Sequence, residues 1–139
     1  MEKPLITLEH ISKSFDSQKV LDDLCLDIHE NEFITLLGPS GCGKTTTLRI
    51  IGGFMKPDEG IVRFEGRDIT QLPPYKRELN TVFQKYALFP NLTIEDNIAF
   101  GLRIKKKSKE YIRDKIAYAL KLVNLDGYEK RMPDSLSGG

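Results

Sequence analysis

The sequence predicts an α/β domain with an antiparallel β layer and a separate helical subdomain. Three observations point there. Apolar and polar residues alternate near the start, as in half-buried strands; a short apolar run at residues 33–37 stops at a glycine-rich segment; and apolar residues recur at helical spacing past residue 93. Strand patterns dominate before residue 84 and helix patterns after it. The expected division is therefore a core at 1–84 and a helical subdomain at 85–139.

The first strand is expected at residues 5–11, rich in Leu and Ile. The second follows from Leu24, Leu26 and Ile28 alternating with Cys25, Asp27 and His29. After the polar turn Glu30-Asn31-Glu32, the nearly unbroken run Phe33-Ile34-Thr35-Leu36-Leu37 has the pattern of a buried parallel strand. A helix follows near Lys44 and carries Leu48-Arg49-Ile50-Ile51. Lys56-Pro57-Asp58-Glu59-Gly60 is a turn by composition, with a strand at 61–65, a turn at Gly66-Arg67 and a further short strand at 80–84. Thr93 stands three residues before Asp96 in the manner of a capping box and opens a helix through about Leu102. The last helix carries Ile112, Ile116, Ala119, Leu120 and Val123 on one face, with Lys115 and Lys121 off it. The run Lys105-Lys106-Lys107 before it is a solvated linker.

Composition limits the function classes. At 139 residues, 40% hydrophobic and 29% charged, the chain is of ordinary globular type, and its net charge of +1 argues against a nucleic-acid-binding surface. No apolar stretch is long enough for a signal peptide or a membrane span, so a cytoplasmic location is expected. Cys25 and Cys42 have neither a disulfide-framework spacing nor a CxxC or neighbouring histidine, and both are expected as reduced thiols. His10 and His29 lie among polar neighbours and are expected at the surface.

The strongest chemical signal is Gly38-Pro39-Ser40-Gly41-Cys42-Gly43-Lys44-Thr45, followed by Thr46, a full match to the phosphate-binding loop pattern. Such a loop turns backbone N–H groups onto phosphate oxygens, which demands close approach and dihedrals that glycine tolerates. Lys44 is a point charge for the β and γ phosphates, and the Thr45 hydroxyl is a ligand for Mg2+. The helix that starts at this point adds its positive end to the same anion. A strand before and a helix after complete the context the pattern requires.

Leu136-Ser137-Gly138-Gly139 resembles the opening of the LSGGQ motif of ABC-transporter ATPases, and Gln84 in Val82-Phe83-Gln84 resembles their Q-loop glutamine. Both stand in the family's order after the phosphate loop. Phe15 sits where the family places an aromatic that stacks on adenine; an ordinary core aromatic is the other reading of it. Residues 80–93 and 99–103 look like the ATPase subunits of bacterial importers, most closely those for spermidine and putrescine, with sugar, ferric-ion and sulfate importers similar. The resemblance covers the whole chain and implies an α/β P-loop NTPase of the ABC type.

What it implies for function is an ATP hydrolase and translocase at the cytoplasmic face of the cell membrane, with ATP and Mg2+ as cofactors. Gln84 would sense the attacking water and the metal, sharing the ion with Thr45. Two subunits would pair head to tail, so that Ser137, Gly138 and Gly139 face the ATP on the partner's loop. Permease subunits would dock near Tyr86 to Pro90, although Leu88 and Phe89 could equally pack on the helical subdomain. A periplasmic or lipid-anchored binding protein would act only indirectly. The family's Walker B aspartate, catalytic glutamate and switch histidine follow LSGG and are not found in these residues, so the fold is expected to be incomplete and the chain to bind nucleotide without turning it over. A non-catalytic nucleotide-binding fragment is therefore the chief rival reading. An ATPase of chromosome maintenance is the weaker one, since no heptad run supports its coiled coils.

Overall fold

The computed structural model describes residues 3–83 and 87–137, which form two compact units, Met1–Val82 and Phe83–Gly139. In the first unit β1 (Ile6–Phe15), β2 (Gln18–Ile28), β3 (Glu59–Phe64) and β4 (Arg67–Asp68) make an antiparallel sheet in the order β2-β1-β3-β4. β1 runs on to Phe15, beyond the apolar residues that announce it, because both its edges are paired. Ile6 lies opposite Ile28 of β2 and Phe64 of β3, and Phe15 opposite Gln18 across a tight turn. Asp16 in that turn has φ 51°, the left-handed backbone that short hairpin connections need.

Helix α1 (Lys44–Gly52) lays Ile50 into the sheet's core, where Leu8, Ile11, Ile50 and Val62 are fully buried together with Leu21 and Ile69. Gly53, at φ 82°, ends the helix, its N–H returning to the Arg49 and Ile50 carbonyls. Arg77 is only 7% exposed, and its guanidinium donates to the carbonyls of Ile50, Ile51, Leu72 and Thr70 at 2.8–3.1 Å. A fixed cation thus closes the negative end of α1.

Two expected strands do not form. Residues 33–37 belong to no strand, with Phe33 94% and Leu37 87% exposed, and residues 80–83 belong to none either, with Val82 96% exposed. A parallel strand has no hairpin neighbour and takes its hydrogen bonds from segments distant in sequence. Among the described residues no segment pairs with either run. The turn expected at Gly66-Arg67 sits one residue earlier, with Arg67 already in β4.

In the second unit α2 (Ile94–Ile104) and α3 (Lys109–Leu122) pack together, burying Ile94, Ala99 and Leu120. The Thr93 hydroxyl accepts from the Asp96 N–H at 3.3 Å, the cap its spacing announces, and Ser108 caps α3 through the Tyr111 N–H at 3.2 Å. Lys105, Lys106 and Lys107 are all exposed between the helices. No helix among the described residues is long and apolar enough to cross a membrane.

Candidate nucleotide-binding site

The loop at residues 38–43 is built around backbone that only glycine supplies. Gly41 and Gly43 have φ of 82° and 98°, and a Cβ at Gly43 would lie 2.7 Å from Leu21 Cδ2 and 3.1 Å from the Val20 carbonyl oxygen. The phosphate loop therefore rests directly on β2. Gly43 is also the N-cap of α1, which has no side-chain cap and no acidic residue in its first turn. The N–H groups and positive dipole at this end are left for an external anion.

Lys44 folds back across the loop, its ammonium donating to the carbonyls of Gly38 and Pro39 and lying 3.4 Å from Cys42 Sγ. The three successive threonines separate in role. Thr47 is buried and its hydroxyl donates to the Gly43 carbonyl at 2.8 Å, tying the helix to its cap, whereas Thr45 is exposed and Thr46 half-buried.

Thr45 and Thr46 line a cleft of about 620 Å3 with Ser40, Gly41, Gly43 and Lys44 on one side and Phe15, Gln18 and Val20 from the β1–β2 hairpin on the other. Its size lies in the roughly 300–1,000 Å3 range of small-molecule sites. Phe15 is no core aromatic: its ring is exposed, with Lys13 Nζ 5.7 Å from the centroid. Gln18 and Val20 escape a reading of the sequence because they precede the alternating part of β2. The signal for them is the pairing itself, Gln18 lying opposite Phe15. Glycine backbone, an uncapped helix start, a lysine spanning the loop and a neighbouring aromatic face together fit a nucleoside triphosphate. Among the described residues that line the cleft none is a glutamate.

Other expected site residues fall elsewhere. Pro39 and Cys42 are exposed on the loop without lining the cleft, and Ser137 is exposed in the second unit outside any helix. Gln84, Tyr86, Gly138 and Gly139 lie outside the described residues. Phe89 packs against Phe100 with the rings tilted by 41° and 4.4 Å between centroids. The Asn97 side chain takes the Phe89 N–H at 2.7 Å and donates to its carbonyl at 3.1 Å. The segment after residue 86 is thus fastened to α2 while Leu88 and Phe89 stay partly exposed.

A family model described as ABC transporter matches residues 21–139, and the chain belongs to that family. A solved ATP-binding cassette of an ABC transporter superposes with a TM-score of 0.80 at 28% identity, over 97% of this chain and 60% of that one. The fold is accordingly that of an ABC ATPase. The spermidine/putrescine import ATP-binding protein PotA of Acetivibrio thermocellus is 65% identical over 135 residues, 97% of this chain and 38% of the relative. PotA of Clostridioides difficile is 58% identical over 139 residues, covering 100% and 40%. The chain spans about two fifths of the length of these curated relatives.

Proposed function

We propose that the protein is the ATP-binding subunit of a bacterial importer that couples MgATP binding and hydrolysis to uptake of the polyamines spermidine and putrescine. The observation that carries the nucleotide part is the single cleft shared by the Phe15 ring and the phosphate loop. The polyamine part rests on the likeness to the PotA proteins.

In this reading Phe15 offers its face to adenine, a contact that needs no base-specific hydrogen bond. The loop N–H groups from Gly41 to Thr45 take the phosphates, and Lys44 swings from its carbonyl partners to the terminal phosphate oxygens. Mg2+, when bound, neutralises charge on the phosphates. Thr45 and Gln84 are the residues that would hold it, and Gln84 orients the attacking water. Residues 1–84 act as the nucleotide-binding core. Residues 85–139 act as the helical subdomain, whose Ser137, Gly138 and Gly139 face the ATP of a second, identical subunit. The partly exposed Leu88 and Phe89 beside α2 form the docking surface for the membrane permease. Residues 1–139 alone are expected to bind ATP without appreciable turnover, since no carboxylate among the described residues lines the cleft to act as general base.

Two measurements test this. Lys44→Ala is expected to weaken ATP binding in calorimetry by about 10- to 150-fold, the equivalent of losing a charge-assisted hydrogen bond of about 1.5–3 kcal/mol. Unchanged binding would remove the phosphate-loop argument. In a strain lacking only this subunit, radiolabelled spermidine uptake is expected to collapse while maltose uptake persists; the opposite pattern would reassign the substrate to sugars.

A further inference from the structure

The β1–β2 hairpin carries a second feature, away from the nucleotide cleft's lining. The ladder holds Leu8 opposite Leu26 and Ile11 opposite Leu24, so Glu9 and His10 together face the single residue Cys25. The next register shift, between Ile11 and Lys13, falls on β2 and sets Asp22 and Asp23 against Ser12. Two adjacent bulges on opposite strands thus place His10 and Asp23 in left-handed backbone, at φ of 51° and 56°. Neither is glycine, and each costs strain in that region.

The bulges are built into the sheet. Gly60 of β3 lies against the first one, at φ 96°, so close that a Cβ there would sit 2.5 Å from the carbonyl oxygens of Glu9 and His10. The Ser12 hydroxyl accepts the Asp23 N–H at 3.1 Å and holds the second.

What the distortion brings together is a donor set. His10 Nδ1 is 2.6 Å from Asp23 Oδ1 and 3.8 Å from Cys25 Sγ, and the three ligand atoms lie within 4.8 Å of one another. Around tetrahedral zinc, bonds of about 2.0–2.3 Å put such donors about 3.3–3.5 Å apart. The nitrogen–sulfur separation is close to that, and the nitrogen–oxygen pair reaches it by a small opening of two exposed side chains. The His10 N–H also donates to Cys25 Sγ at 3.3 Å, the kind of backbone contact that supports a sulfur ligand from outside. The histidine that reaches Cys25 is not His29, four residues further along the chain, but His10, which the sheet brings from 15 residues away.

We propose that His10, Asp23 and Cys25 form a binding site for a borderline-soft divalent cation, Zn2+ in the first instance, with water in the fourth position. Imidazole, carboxylate and thiolate together select Zn2+ over the hard Mg2+ that serves the phosphate loop. Binding releases the thiol proton to solvent, shifts the neutral His10 imidazole to the tautomer protonated at Nε2 so that Nδ1 is free to ligate, and replaces the His10–Asp23 hydrogen bond with two metal bonds, pinning the bulges to each other.

The test uses the protein in a Cys42→Ser background, which leaves Cys25 as the only cysteine of this sequence. Titration with Co2+ is expected to give a thiolate-to-cobalt charge-transfer band that saturates at one equivalent and is removed by Zn2+. Cys25→Ser should abolish the band. Asp23→Asn and His10→Asn, both compatible with left-handed backbone, should weaken Co2+ binding at least about tenfold through loss of a ligand. Zn2+ should raise the melting temperature of the parent and not of Cys25→Ser, while circular dichroism reports that each variant is folded. No charge-transfer band up to millimolar Co2+, or a band indifferent to His10 and Asp23 in folded variants, would overturn the site.

Discussion

At the scale of single residues, Arg77 and Phe15 do opposite things with their neighbours. Arg77 spends its charge on four backbone carbonyls, two of them at the end of the phosphate-loop helix. Burial pushes its pKa down, with Asp68 partly opposing, yet a guanidinium stays protonated. Arg77→Met keeps the apolar stem and strands those carbonyls; the expected cost is about 3 kcal/mol, from a penalty of about 1–3 kcal/mol for each buried group left unpaired, offset where water enters. Arg77→Lys should recover little, because an ammonium cannot reach both segments at once. Urea unfolding of the two variants measures this, and a loss below about 1 kcal/mol for Arg77→Met would show the contacts to be replaceable. Phe15, by contrast, has an exposed ring in the cleft proposed for the nucleotide. Phe15→Ala is expected to weaken ATP binding about 5- to 150-fold, matching about 1–3 kcal/mol for base stacking, while Phe15→Trp keeps it. A fluorescent-nucleotide titration in which Phe15→Ala binds like the parent would return Phe15 to a packing role.

At the scale of elements, caps and carboxylate clamps decide where segments begin and which neighbours they hold. Thr93→Ala removes the hydroxyl cap of α2 and is expected to cost about 1 kcal/mol in urea unfolding. The entry to β3 is held by Asp58, whose carboxylate takes Lys13 Nζ and the Ser14 N–H, both at 2.7 Å, and so joins the turn before β3 to the far end of β1. The Lys13 hydrogen bond, then the Ser14 N–H, lower the Asp58 pKa below its usual 3.8; Arg103 and Thr93 do the same for Asp96. A carboxyl with a depressed folded pKa binds fewer protons in the native state. Its stabilising contribution is therefore complete above the unfolded value and is lost as pH falls from there through the folded one. Stability should hold from neutrality to about pH 5 and decline below about pH 4. Asp58→Asn should flatten that acid limb, read as urea midpoints against pH. A limb of unchanged steepness would mean that the clamp does not couple to folding.

At the scale of the whole molecule, each compact unit has its own core, yet the first leaves Phe33, Leu37 and Val82 almost fully exposed. Apolar surface of that kind binds hydrophobic dyes and promotes association. Residues 1–139 are expected to bind anilinonaphthalene sulfonate and to aggregate, and Phe33→Ser with Leu37→Ser should reduce both; dye fluorescence and light scattering report the outcome. Weak dye binding by the parent would show that these side chains find cover in solution. The same residues mark the limit of what was legible beforehand. Their composition reads as that of buried strands, and the structure instead leaves them exposed, because whether such a run becomes a strand depends on a partner remote in sequence. Sequence alone determined the glycine backbone of the loop at residues 38–43, the Thr93 cap, the alternation in β2 and most of the apolar face of α3, whose expected member Val123 is 58% exposed, because each pattern is local. Only the tertiary structure decided that Phe15 shares a cleft with Lys44, that Arg77 closes the phosphate-loop helix, and that His10 meets Cys25. The Arg77 contacts depend on where the segment after β4 meets the end of α1, and the His10–Cys25 meeting on strand register and two bulges; a bulge changes which residues face each other without leaving a mark in the local hydrophobic period.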